Sequence, residues 1–373
     1  MQQSLMALLA VTVLMANTSL GRGQNESALE AIRSVGPLGK GNPAAASGWK
    51  ALVSKGAEGM IPALESLNDD SALAANWLRP ALDAMGEKAK SLSQIVPVAS
   101  LEAFVRDRKK GRFARACALE LIEANDEAVA AKLIGEGLDD PSGEIRRKAI
   151  GMSLEKIQAL PAPEHVKALK SLFDQAADTD QVEKIAKELK QKGIEVSVRE
   201  QMGYLTAWSL IGPFANTGNE GFVNRLAPED GVRLGVTFLG AKGDVGWKDQ
   251  TTDDKAGVVD LNKSLGDDKS VVAFAFTRIR SDREQRVQLR VGSITSVKLF
   301  LNGAKVYEHD EYHHGMSPDQ YIAEVILKAG VNELMVKIGQ NDKAQSWEKN
   351  WQFQARFTDL AGARAKIQAI GPR

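Results

Sequence analysis

At 373 residues, with 43% hydrophobic and 26% charged side chains, the chain is long enough for two or three domains with ordinary cores. Its 48 Lys and Arg balance 48 Asp and Glu, so no net charge draws it to nucleic acid or to an anionic lipid surface. The single cysteine, Cys117, excludes a disulfide within the chain and, lying far from the N-terminus, leaves no thiol there for an acyl-lipid anchor.

Leu5–Ala16 is a twelve-residue apolar run, too short for a membrane-spanning helix and of the right length for the core of a signal peptide. Small residues follow at Ser19, Gly21 and Gly23, where cleavage would occur, although Met1–Ser4 carries no Lys or Arg. Residues 1–23 are read as a signal peptide. The mature protein is then expected to be secreted or periplasmic, with no membrane span.

From residue 24 to Gly193 the chain is rich in Ala, Leu, Glu and Lys, with apolar residues at helical spacing and turn residues about every dozen positions. Cys117 falls inside one such pattern, Phe113–Leu119, as a small core residue. The basic run Arg106–Arg112 is broken by Asp107 and lacks aromatics, so it reads as a solvated turn between helices. Leu138-Asp139-Asp140-Pro141 ends one helix, and Ile145-Arg146 opens the next, because Asp can cap a helix and Pro tolerates its first turn. Ile61–Asp70 echoes this pattern, and Gly111-Arg112-Phe113 aligns with Gly143-Glu144-Ile145 at an offset of 32 residues. On these residues the segment resembles a HEAT repeat array. Such an array implies either a curved groove for a protein or peptide, or a spacer carrying the next domain.

Gln181–Lys192 forms an amphipathic helix that Gly193 can close. After it the periodicity changes. Val271–Ile279, Arg286–Val291, Val297–Leu301, Tyr321–Leu327, Glu333–Ile338 and Trp351–Phe357 read as short strands, with clean alternation in Val287–Val291. Asn302-Gly303 is the preferred chemistry of a two-residue hairpin, and Ala329-Gly330-Val331-Asn332 marks a second turn of that kind. Trp208 and Trp351 are expected in the core.

Trp208–Phe214, Pro228-Glu229, Gly257–Leu261, Val297–Gly303, Leu327–Asn332 and Val336-Lys337 resemble the galactose-binding-like β-sandwich of bacterial envelope proteins. In outline that sandwich is similar to carbohydrate-binding modules and to the sugar-binding-like domain of some β-glycosidases. The expected fold class is therefore multidomain, α then β: a HEAT-like α-solenoid followed by an antiparallel β-sandwich (jelly roll, galactose-binding-like). Its parts are residues 1–23 (signal peptide), 24–193 (helical repeats), 194–206 (linker), 207–360 (sandwich) and 361–373 (C-terminal tail). The resemblance implies a glycan or an envelope protein as partner.

His309-Asp310-Glu311-Tyr312-His313-His314 concentrates three imidazoles and two carboxylates. His309, His313 and His314 could ligate a transition metal, and His309 and His313 have the i,i+4 spacing of a zinc-protease helix. The preceding hairpin strand argues against that helix, so a polar loop at the sandwich rim is the plain alternative. Tyr312, His313, His314 and Trp347 are the candidate ligand contacts, combining rings with polar groups. No cofactor is expected beyond a structural calcium ion, for which Asp249, Asp253, Asp254, Asp267 and Asp268 offer carboxylates. No nucleophile elbow, phosphate loop or dinucleotide fingerprint occurs, so no catalytic residue is assigned. The expectation is a non-catalytic binding or scaffolding protein. The alternative is a metal-dependent hydrolase or redox accessory protein with its site at His309–His314.

Overall fold

The computed structural model of the chain describes residues 26–69, 71–343, 345 and 348–373. The expected signal peptide and Trp347 lie outside the described residues. The chain divides into two compact units, one ending at Ser153 and the other running Leu154–Arg373.

The first unit is helical: α1 (residues 26–33), α2 (Asn42–Val53), α3 (Ala57–Ser66), α4 (Ala72–Ser91), α5 (Val98–Arg106), α6 (Arg112–Glu123), α7 (Glu127–Gly135) and the start of α8 (Gly143–Ile157). Short polar side chains at the N-cap start α4 and α7. The Ser71 hydroxyl accepts from Ala74 N, and the Asp126 carboxylate accepts from Val129 N. Asp69 reaches from the end of α3 to accept from the backbone N–H groups of Arg112 and Phe113, so one helix pair caps the next. α6 packs against α3, α4, α5 and α7, and Leu52, Met60, Leu78, Leu82, Leu101, Leu119 and Ile122 share one buried cluster. Cys117 lies in that cluster, where burial pushes its thiol up to about 12 and leaves it inert at neutral pH.

The basic run is a turn between α5 and α6, as expected, but four of its five cations are paired. Arg106 pairs with Glu136, Arg108 with Asp139, Lys110 with Glu65 and Arg112 with Asp69. Deeper in the unit, Arg115 makes a bidentate bond to Asp140, with both N–O distances 2.7 Å, and its Nε donates to Val105 O. Asp140 also accepts from Ser142 N. The Asp-Asp-Pro turn thus supplies one exposed acid and one buried one.

The second unit opens with α9 (Ala162–Gln175), α10 (Thr179–Gln191) and α11 (Val198–Met202) and continues into strands. The strands are β1 (Ala207–Ala215), β2 (Thr237–Gly240), β3 (Gly243–Gly246), β4 (Lys248–Thr251), β5 (Val259–Asp260), β6 (Val271–Ser281), β7 (Gln285–Ser293), β8 (Val297–Leu301), β9 (Ala304–His309), β10 (Tyr321–Leu327), β11 (Gly330–Gln340), β12 (Gln352–Thr358) and β13 (Gln368–Ala369). Among the described residues they form a seven-stranded sheet in the order β4-β1-β6-β11-β8-β9, with β13 beside β6, and a four-stranded sheet in the order β10-β7-β12-β5. Every pairing is antiparallel. Leu210, Ala275, Leu299 and Val336 from the larger sheet share a buried cluster with Leu289, Val325, Phe353 and Phe357 from the smaller. Trp208 and Trp351 are fully buried in it, as expected.

The Asn302-Gly303 turn joins β8 to β9, both residues having positive φ, as a two-residue hairpin requires. The second turn is not a hairpin. β10 and β11 lie in different sheets, so Lys328-Ala329 is a crossover. Asn332, fully buried, fixes it: its side chain accepts from Lys328 N, donates to Lys328 O and Gly330 O, and accepts from Asn302 Nδ2 at 2.9 Å.

The outer face of the larger sheet carries its own apolar cluster, in which Ile211, Phe222, Phe274, Phe300 and Met335 pack with Leu226, Leu234 and Phe238 from the segment between β1 and β3. Two lysines, Lys298 and Lys337, sit directly opposite each other on β8 and β11. Lys337 donates to Glu229 Oε1 and Asn224 O, both at 2.7 Å, and lies over the Phe274 ring. Lys298 meets Glu308 and the ring of Phe222. Each buried ammonium thus has an anion and a π face to offset its lost hydration. Among the described residues no helix is long and apolar enough to cross a membrane.

Candidate functional site

Residues 310–320 leave the edge strand β9 of one sheet and enter the edge strand β10 of the other. Such a connection has no ladder to hold it, so side chains must do so. Asp310 accepts from Asn219 Nδ2 at 2.8 Å. The Tyr312 hydroxyl donates to Asn219 Oδ1 and accepts from Asn216 Nδ2 at 3.0 Å, and Asn216 also bonds to Gln340 O and Phe222 N. His313 takes a left-handed backbone conformation, its N–H donates to Ile294 O, and its Nε2 lies 3.0 Å from Asn341 Oδ1. Three chain segments, at 216–219, 310–313 and 340–341, therefore meet at one end of the sheets.

The far end of the loop is fixed to the outer face of the four-stranded sheet. Gly292 permits the approach, because a Cβ there would lie 2.5 Å from Ser317 O. Gln320 Oε1 accepts from Ser293 N. Asp319, also with positive φ, accepts from Arg290 Nη1 at 2.8 Å and from Arg356 Nε at 2.7 Å. Burial pushes the Asp319 carboxyl up, but the two guanidinium groups outweigh it and hold the group below the usual carboxylate range.

Between these anchorages the loop turns His314 onto Tyr321, at the first position of β10. Rings then accumulate: His309 and Tyr321 centroids lie 4.6 Å apart, Tyr307 and Tyr321 5.5 Å, His309 and His314 5.6 Å. Burial, with Tyr307 and Glu311 nearby, pushes the Tyr321 phenol up to about 12, so it stays protonated. Its hydroxyl lies 3.0 Å from His314 Nε2, and His314 Nδ1 lies 3.0 Å from both Gly315 O and Gln320 Nε2. His309 Nε2 lies 3.0 Å from Glu311 Oε2. The result is a cluster of four rings, Tyr321 buried and Tyr307, His309 and His314 half-buried, bordered by the Gln320 amide and the Glu311 carboxylate.

The sequence-derived residues thus separate. His309 and His314 contribute rings to the patch, whereas Tyr312 and His313 anchor the loop. Trp347 lies outside the described residues. Among the described residues, no group of three His, Cys, Asp or Glu side chains is placed to hold a metal ion. The carboxylates considered for calcium have local partners where bonds are seen: Asp249 accepts from Ser209 Oγ, Asp254 from Ala256 N and Val258 N, Asp267 from Asn262 Nδ2, and Asp268 pairs with Lys242. Sequence reasoning missed Tyr307, Tyr321 and Gln320 as members of the patch. The signal was present, because the two tyrosines stand near the facing ends of the strands that flank the loop.

No family model matches the chain, and no curated protein matches it. Among solved structures, a β-glucosidase from Kluyveromyces marxianus aligns with 11% identity and a TM-score of 0.25, over 40% of this chain and 16% of that one. A GH31 α-xylosidase from Xanthomonas citri aligns with 9% identity and a TM-score of 0.23, over 42% of this chain and 18% of that one. The chain thus spans less than a fifth of either protein.

Proposed function

We propose that this is a secreted or periplasmic, non-catalytic binding protein whose sheet-rich half is a galactose-binding-like sandwich recognising a glycan, and whose helical half is a HEAT-like array. The observation that supports this most is the cluster of Tyr307, His309, His314 and Tyr321, formed where a loop anchored at both ends joins β9 to β10. Sugar recognition combines stacking on ring faces with hydrogen bonds to hydroxyls, and the half-buried rings of Tyr307, His309 and His314 lie beside the Gln320 amide and the Glu311 carboxylate. A loop fixed before binding spares the ligand the entropy of ordering it. The acids nearest the rings each hold a neighbour, Asp310 with Asn219 and Glu311 with His309, which suits a positioning role. The test is a panel of soluble oligosaccharides screened against the full chain. Binding that a His309→Ala variant loses, while its unfolding midpoint is retained, supports the reading. Absence of binding across neutral, acidic and amino sugars would remove it.

A further inference from the structure

Asn302-Gly303 is the single Asn-Gly pair in the chain. The pair that makes a tight turn is also a reactive one. Gly303 has no side chain to shield its backbone nitrogen, and a Cβ built there would meet nothing within 4 Å. Gly303 is exposed to solvent and Asn302 is half-buried. A backbone nitrogen so placed can attack the side-chain amide carbon of the asparagine before it.

In the folded chain that amide is pinned at both of its polar atoms. Asn302 Nδ2 donates to Asn332 Oδ1 at 2.9 Å, and Asn302 Oδ1 accepts from Glu333 N at 3.0 Å. The backbone N–H of Asn302 donates to Glu333 O at 2.8 Å. Main-chain partners fix which way each amide faces. Glu333 N must meet an oxygen, so the nitrogen of Asn302 turns to Asn332. In Asn332, Lys328 N claims the oxygen, while Lys328 O and Gly330 O claim the nitrogen. Asn332 is fully buried and cannot turn over without stranding those three groups.

We propose that Asn302 is a site of hydrolytic deamidation, held off in the folded chain by Asn332. Gly303 N gives its proton to solvent and bonds to Asn302 Cγ, and the Cγ–Nδ2 bond breaks to release ammonia and leave a cyclic imide. Water then opens the imide at either carbonyl, giving aspartate or isoaspartate, with no oxidant or cofactor consumed. Ring closure requires the amide to swing away from Asn332 and Glu333, so those bonds must open first. The product cannot restore them. A carboxylate has no N–H for Asn332 and sets an oxygen against its Oδ1. Isoaspartate further adds a methylene to the main chain of a turn whose length sets the register of β8 on β9. Either product severs the link between this hairpin and the crossover from β10 to β11, and the change is irreversible.

The test is peptide mapping by mass spectrometry of the full chain kept in mildly alkaline buffer, with circular dichroism reporting the fold. Wild type is expected to convert Asn302 slowly when folded and fast in urea. Folded Asn332→Ala should convert it about fivefold faster than folded wild type or more, the factor that one lost hydrogen bond makes in an opening equilibrium. Asp319→Ala, which loosens the same unit elsewhere, should not reach that rate. Asn302→Asp, which makes one product directly, should unfold at lower urea than wild type. An Asn302 that survives urea overturns the proposal, as does a wild type that reacts equally fast folded and unfolded. So does a folded Asn332→Ala that reacts no faster than Asp319→Ala. Should Asn332→Ala fail to fold, the ratio of rates in wild type and the stability of Asn302→Asp decide, and an Asn302→Asp variant as stable as wild type then overturns it.

Discussion

Arg356 closes the ring-bearing loop onto the sheet beneath it through Asp319, its Nε donating to Oδ1 at 2.7 Å and its Nη2 to Oδ2. Arg356 is 1% exposed and spends its remaining donor on Met202 O and Gly362 O. The carboxylate therefore serves as counter-ion for a buried guanidinium and as anchor for the loop.

Asp319→Ala should destabilise the second unit strongly, because it leaves Arg356 buried without an anion. Removing one partner of a buried pair costs roughly 3–5 kcal/mol, and the lower part of that range fits the part-exposed Asp319. Urea unfolding of the full chain, followed by near-ultraviolet circular dichroism from the tryptophans, measures it.

The same pair sets a pH dependence. The Asp319 carboxyl ionises more readily folded than unfolded, so its contribution is complete above the ordinary carboxylate range near ~4 and fades as pH falls through the lower folded value. The stability gap between wild type and Asp319→Ala should be constant from neutral pH down to that range and narrow below it. A gap that widens with acid would assign the effect to another group.

Asn332→Ala should cost at least about 2 kcal/mol, since it strips partners from Lys328 N, Lys328 O and Gly330 O in a buried crossover, and each such loss costs about 1–3 kcal/mol. Asn302→Ala should cost less, because it leaves the crossover bonds intact. Denaturant midpoints of the two variants give the comparison.

Lys337→Met should destabilise by leaving Glu229 without its cation, while Lys337→Met with Glu229→Gln should recover most of the loss, because replacing both partners of a buried ion pair is often close to neutral. The double-mutant cycle is read from urea unfolding. If the double variant is as unstable as the single one, the ammonium's stacking on Phe274 and its bond to Asn224 O hold the segment instead.

What could be read in advance follows the range of the interactions. The strand at Tyr321–Leu327 and the tight turn at Asn302-Gly303 are local properties, and both stand in the structure; the alternation read in Val287–Val291 is blurred there, because Gln288 is buried as well. The change from helix to strand stands too, since 3.6-residue and two-residue periods are written in neighbouring side chains. The second turn was misjudged because Leu327-Lys-Ala-Gly-Val-Asn has the composition of a hairpin, and only its neighbours decide that the chain changes sheets. The candidate site was half legible. The histidine-rich loop stood out, yet Tyr312 proved an anchor because Asn216, 96 residues earlier, waits beneath it. Arg356 and Asp319 lie 37 residues apart, with no spacing rule to join them.

Glycan recognition at the ring patch is the central claim, and calorimetric titration of the best-binding oligosaccharide into wild type, His309→Ala and His314→Ala tests it most directly. Each alanine is expected to weaken binding by about 1–2 kcal/mol, the scale of one lost contact at a binding surface, with unfolding midpoints unchanged. Wild-type affinity in both stable variants would place the ligand elsewhere and contradict the account.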